Sequence, residues 1–242
     1  MKKTLSLKLV LFCLFSCQSI PNKKVIEIGT LAKIDVHSHY QYSRSYLPTF
    51  FKKWNMRSVL VDVAKEESLG VSRSWGNYLN HATSQHELYF LCTSLIGTGI
   101  DIPDFVKKAI QQLEDEISSG AKMVKVWKNF GMVTKDASGN FIQIDDRRLQ
   151  PIWDYLKSKG IPVMAHIAEP EQAWRALDPK NPHYGYYKKN PQYHAYTIPE
   201  IPSYETIITA RDRWIENNSD LQILCAHLGS MSHDVDMVAT RL

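Results

Sequence analysis

Six short apolar runs recur along the chain, separated by longer stretches of helical period. They cover residues 32–36, 58–63, 88–95, 123–127, 162–165 and 221–226, and each is rich enough in β-branched or aromatic side chains to predict a strand. Between them, residues 103–118 carry Phe105, Ala109, Ile110, Leu113 and Ile117 near i, i+3, i+4 spacing, which predicts an amphipathic helix. A second helix is predicted over 146–158, started by an aspartate and stopped by Gly160-Ile161-Pro162. A third is predicted over 203–217, where Ser203 and Thr206 form a weakened capping pattern.

Strands that alternate with helices predict a parallel sheet. No glycine-rich phosphate loop follows the first strand, so a dinucleotide-binding sheet is disfavoured. The expectation is an α/β fold, a (β/α)8 barrel with about six βα units in this chain. The last residues fall partway through an amphipathic stretch after the sixth strand, whereas such barrels take about 250 residues. The barrel, residues 31–242, is therefore expected to be incomplete at its C-terminal end.

One segment breaks the rhythm. Residues 167–202, between the fifth strand and its helix, hold Trp174, Tyr184, Tyr186, Tyr187, Tyr193 and Tyr196 together with six prolines. A connection that long in a compact domain reads as a lid or binding loop, with a surface excursion packed on its own aromatics as the plainer alternative.

Composition adds limits. Of 242 residues, 44% are hydrophobic and 22% charged, which describes a globular chain with a sizeable core. The net charge of +4 is scattered, so no nucleic-acid footprint is expected. The opening MKKTLSLKLVLFCLFSC has two lysines before a short apolar run and predicts an export signal, residues 1–17. Its end resembles a bacterial lipobox, which implies lipid attachment at Cys17, a tether over 18–30, and an exported protein anchored to a membrane. Cys92 and Cys225 each sit inside an apolar run and read as small core residues.

The candidate chemistry lies at the ends of the apolar runs. In KIDVHSHY, residues 33–40, alternation points Asp35, His37 and His39 the same way, so two imidazoles can converge on one cation. Alone, this pattern is weak. It recurs, however: His166 closes IPVMAH and His227 closes LQILCAH, which brings four histidines from three strand ends to one face of a parallel barrel.

The motifs KIDVHSH, GAKMVKVWKNFGM, IPVMAHIAEP and LQILCAHLGS, in that order, resemble the amidohydrolase superfamily, in particular its amidohydrolase-related branch. The resemblance implies a divalent metal, zinc foremost, with His37, His39 and His166 as ligands and His227 acting in catalysis. It also implies an aspartate after the eighth strand, which has no counterpart here, since Asp234 and Asp236 follow strand six. Hydrolysis of a small ester, lactone or amide by metal-activated water is the first expectation, and nonoxidative decarboxylation on the same site is the alternative. A lipid-anchored module that binds a ligand without turnover is the reading from another class. Lys125 is expected to point into the barrel as a carbamylated metal bridge, a cation for an anionic substrate, or a structural lysine. Lys128 is expected to be exposed, and Glu169 and Arg211 are candidate substrate contacts. His194 is singled out as a loop histidine that the lid could carry inward.

Overall fold

The computed structural model describes residues 27–39, 44–67 and 70–241. The segment expected to be an export signal, residues 1–17 with Cys17, lies outside the described residues. Six parallel strands form one curled sheet in the order β1 (Lys33–Ser38), β2 (Met56–Val61), β5 (Tyr89–Ser94), β6 (Ala121–Val126), β7 (Val163–Ala165) and β8 (Ile223–Cys225). Strand neighbours in space follow the order of the chain, as βα units winding in one sense require. A small antiparallel hairpin, β3 (Lys65–Glu67) with β4 (Gly70–Ser72), is an addition that the alternation did not announce.

Helices α1 (Leu47–Lys53), α2 (Trp75–Ser84), α3 (Phe105–Ser118), α5 (Gln150–Ser158) and α7 (Tyr204–Asn217) stand between the strands, and α9 (Val235–Arg241) follows the last. Short turns α4 (Asn129–Met132) and α8 (Ala226–Gly229) lie at the ends of β6 and β8, and α6 (Tyr184–Lys189) lies in the long loop. The predicted starts correspond to real caps. Asp146 accepts from the backbone of Arg148 at 2.9 Å, opening a single 3-10 turn ahead of α5, and Ser203 accepts from the backbone of Thr206 at 3.1 Å.

Alternation along the strands divides the apolar side chains between the two faces of the sheet, where they form three clusters. Val124, Val126, Val163 and Ala165 face the helices and pack with Leu113, Trp153, Ile207 and Trp214. Val59, Val61, Cys92 and Met164 form the smaller cluster of the opposite face, inside the curl. Full burial of a side chain the size of Val or Leu contributes about 1.5–3 kcal/mol, so the larger core carries most of the stability. Strand β1 departs from this arrangement. Ile34 and Val36 stay 54% and 45% exposed, because no helix covers the outer face of this edge strand among the described residues.

Candidate metal centre and adjoining cavity

His37 is the fifth residue of β1 and His39 lies just past its end. The pairing with β2 shifts register between Asp35 and Ser38, and the bulge re-aims the end of the strand. Asp35 holds this end from within: it accepts from the backbone of His37 at 3.1 Å and from the hydroxyl of Ser38, which also accepts from Ser58 at 2.9 Å. As a result the Nε2 atoms of His37 and His39 stand 3.0 Å apart. The His39 Nδ1 lies 2.9 Å from the carbonyl of Val61. A carbonyl only accepts, so the proton sits on Nδ1, and Nε2 presents its lone pair.

Lys125 lies on the inner face of β6, opposite Val124 and Val126, and is fully buried. Its Nζ is 3.2 Å from Nε2 of His37. An ammonium donates and cannot accept, so the His37 Nε2 lone pair turns toward the same small region as that of His39. Burial lowers Lys125 to about 8. The same burial, reinforced by the Lys125 charge and by the neighbouring imidazoles His39 and His227, lowers His37 to about 3. Burial is also the first cause of the lowered pKa of His39 and of His227, and it pushes His166 well below the ordinary imidazole range. Neutral imidazole is the form that binds metals.

His166 follows β7, its backbone N–H donating to Val126 at 3.0 Å. His227 follows β8 and packs edge to face on His166, with ring centroids 4.5 Å apart, and at 5.2 Å from His37. The four histidines named by the apolar runs are thus one assembly at the carboxyl ends of the strands. No group of three His, Cys, Asp or Glu side chains is gathered tightly enough to hold a metal ion among the described residues. The donor chemistry nevertheless fits a cation, since two neutral imidazole nitrogens stand 3.0 Å apart, near enough to share one ion, and here it is the Lys125 ammonium that brings positive charge to the His37 Nε2.

The turn that carries His227 is strained. His227, Leu228, Gly229 and Ser230 have φ of 55°, 52°, 66° and 67°, a left-handed run that costs L-residues about 1–2 kcal/mol each. Three contacts hold it. Arg211, 1% exposed, donates to the carbonyl of Gly229. Tyr204 donates to the carbonyl of Ser230 at 2.9 Å, and the Ser230 hydroxyl accepts from the backbone of Ala168 at 3.2 Å. Arg211, expected to meet substrate, is placed instead against the turn behind His227, with Asp212 as its ion partner.

Glu169 borders the cavity beside His166 and His227 but is engaged in an ion pair with Lys128. The expectation that Lys128 is exposed is corrected: it is 6% exposed, lies over the Tyr193 ring at 4.4 Å, and is lowered to about 8 by burial. The long loop carries its aromatics to this place. A cavity of about 310 Å³ is lined by His166, His227, Glu169, His183, Tyr186 and Tyr187. His194 is buried within the loop, its Nε2 donating to the carbonyl of Arg175 at 3.0 Å, and it is absent from the cavity wall.

No family model matches the chain, and no curated protein does. Among solved structures, 2,6-dihydroxybenzoate decarboxylase from Rhizobium superposes with a TM-score of 0.52 at 11% identity, over 83% of this chain and 67% of that one. A 2,6-dihydroxybenzoate decarboxylase complexed with 2,6-dihydroxybenzoate gives 0.50 at 12%, over 83% and 68%. An uncharacterised TIM-barrel protein from Bordetella bronchiseptica gives 0.45 at 17%, over 80% and 66%. The chain spans about two thirds of the length of each. The shared property is the fold, a curled parallel sheet with flanking helices that in this chain is a partial (β/α)8 barrel of six strands.

Within that fold, two contributors were not anticipated from the sequence: His183 in the cavity wall, and the carbonyl of Val61 that fixes the His39 tautomer. The first had a signal, its place among the loop aromatics. The second had none, because a backbone acceptor on a neighbouring strand leaves no mark in residue type.

Proposed function

We propose that this chain carries the metal site and substrate cavity of a metal-dependent enzyme of the amidohydrolase-related kind, which removes the carboxylate of a small organic acid without oxidation. The observation that carries the reading is the approach of the His37 and His39 Nε2 atoms to 3.0 Å beside a buried Lys125 that has no carboxylate in ion-pair contact among the described residues. His37, His39 and His166 would hold the ion, and zinc suits imidazole donors. When bound, a divalent metal supplies Lewis acidity at a substrate oxygen.

The remaining work falls to side chains of the chain. Lys125 provides positive charge for the entering carboxylate. His227, held beside His166 by the strained turn and neutral in the free site, takes up a proton from solvent and passes it to the carbon that bears the carboxylate. The carbon–carbon bond then breaks, its electron pair stays with that carbon in place of the charge neutralised by the proton, and carbon dioxide leaves. The loop aromatics exclude water from the cavity, whose 310 Å³ suits a single ring with its substituents. Decarboxylation is preferred to hydrolysis because two structures that superpose at 0.50 or better are named as decarboxylases, one holding a dihydroxybenzoate. Hydrolysis of an ester, lactone or amide is the second reading, supported by the order of the four histidine motifs. The N-terminal signal and Cys17 support an exported enzyme tethered to a membrane by lipid.

Metal analysis of the purified protein beside His37→Ala and His166→Ala tests the site. Stoichiometric divalent metal is expected in the parent and a loss of tenfold or more in each variant. Equal content in all three overturns the proposal. Release of carbon dioxide from hydroxybenzoates, set against turnover of simple aryl esters, separates the two reactions.

A further inference from the structure

The cavity beside His166 and His227 has a polar group that the proposed reaction does not use. Tyr187, on α6 of the long loop, lines this cavity and is 1% exposed, and its hydroxyl is buried without a hydrogen-bond partner among the described residues. A buried phenol normally finds a partner, since an unsatisfied hydroxyl costs about 1–3 kcal/mol.

Packing does not account for the oxygen. The Tyr187 ring meets His183 and Tyr186 edge to face at 5.8 and 5.3 Å and stacks on His194 at 5.2 Å. A phenylalanine ring would make each of these contacts equally well. Burial raises the phenol to about 12, so it stays a neutral donor across the physiological range.

The wall around it is mixed. Ala168, Pro170 and the Tyr186 ring give it an apolar side. The one carboxylate there, Glu169, is already engaged by Lys128 and does not compete for the hydroxyl. A cavity of this size with a buried, unpartnered hydroxyl donor in its wall fits a compact ring that carries an oxygen acceptor.

We propose that Tyr187 is a ligand-binding residue, its hydroxyl donating a hydrogen bond to an oxygen of a small, ring-sized organic molecule held between the long loop and His227. The inference rests on the proposed enzyme only in taking this cavity as the substrate's place. A protein that keeps an unpaired hydroxyl here gives up stability for binding, a trade that function sites show.

The test is binding of benzoate, benzamide and toluene to the parent and to Tyr187→Phe by titration calorimetry or ligand-observed NMR, with the melting temperature of each protein measured without ligand. Saturable binding of benzoate or benzamide to the parent, weakened about tenfold in Tyr187→Phe, is expected. Toluene, which has no oxygen, should bind both proteins alike, and the unliganded variant should melt at the same or a higher temperature. Weakening of benzoate alone assigns the hydroxyl to a carboxylate oxygen, and weakening of both assigns it to a carbonyl oxygen in general. Unchanged binding of both oxygen probes, no saturable binding of either to the parent, or a lower melting temperature of the variant overturns the inference. Metal content read on the same samples separates the two proposals. Tyr187-dependent binding to a metal-free protein removes the enzyme and keeps the ligand contact, whereas a metal-loaded protein indifferent to Tyr187→Phe does the reverse.

Discussion

Two halves of the barrel mouth treat their charges in opposite ways. On the flank of β2 and β5 the charges are paired and hydrogen-bonded. Arg73 donates to Asp62 at 2.7 Å and twice to Glu116 at 2.8 Å, and Asp62 also accepts from the backbone of Ser74 at 2.9 Å. Nearby, buried Glu66 accepts from the backbone of Gly97 at 2.8 Å, from Asn129 at 2.9 Å and from Thr134 at 2.8 Å, tying three strand-end loops together. Across the mouth, Lys125 has imidazole for a neighbour and no carboxylate in ion-pair contact among the described residues, and two histidine Nε2 atoms approach to 3.0 Å. Satisfied buried networks hold loops in place, while a focus of uncompensated groups is where a ligand or ion has something to supply.

That contrast can be broken by substitution. The largest effect is expected from Arg73→Met, which leaves the buried carboxylates of Asp62 and Glu116 without their cation and should cost about 3–5 kcal/mol in urea denaturation. A loss below about 1 kcal/mol would mean that the network is not structural. Arg211→Met should cost about 2 kcal/mol by freeing the Gly229 carbonyl, and it should lower the turnover number more than it raises KM, because His227 moves while the long-loop side of the cavity, with His183, Tyr186 and Tyr187, does not. Partial recovery of turnover in Arg211→Lys would sharpen the assignment of this residue to positioning.

The smallest effect is a pH slope. The folded chain holds His37, His39, His166 and His227 below their ordinary pKa, so as pH falls from 6.5 toward the value of about 3 held by His37 the unfolded chain binds protons that the folded chain does not. Stability is therefore lost with falling pH over this window. In the metal-free protein the melting temperature should drop between pH 6.5 and 4, and less steeply in His37→Asn. Equal slopes in the two proteins would show that the imidazoles of this half are not held neutral.

Much of the site was legible because strand ends in a parallel barrel share one face. The histidines that close the first, fifth and sixth apolar runs needed only that rule to be brought together, and Lys125 needed only alternation against Val124 and Val126. Lys128 was misplaced for a definable reason. Past the end of β6 the chain enters an irregular turn, with Gly131 at φ 92°, and alternation no longer says where a side chain points. The hairpin of β3 and β4 escaped notice because KEE and GVS carry too few apolar residues to show a period.

The sequence by itself determined the alternation of strands and helices, the inward face of each strand and the identity of the four histidines, since these follow from periods of 2 and 3.6 residues and from residue chemistry. Tertiary structure alone decided that the Val61 carbonyl fixes the His39 tautomer, that Arg211 holds a left-handed turn while Glu169 neutralises Lys128, and that the long loop lays Tyr187 along the cavity. Those partners lie between 18 and 41 residues apart, and in two of the four cases more than one element separates them, so no local pattern in the chain encodes their meeting.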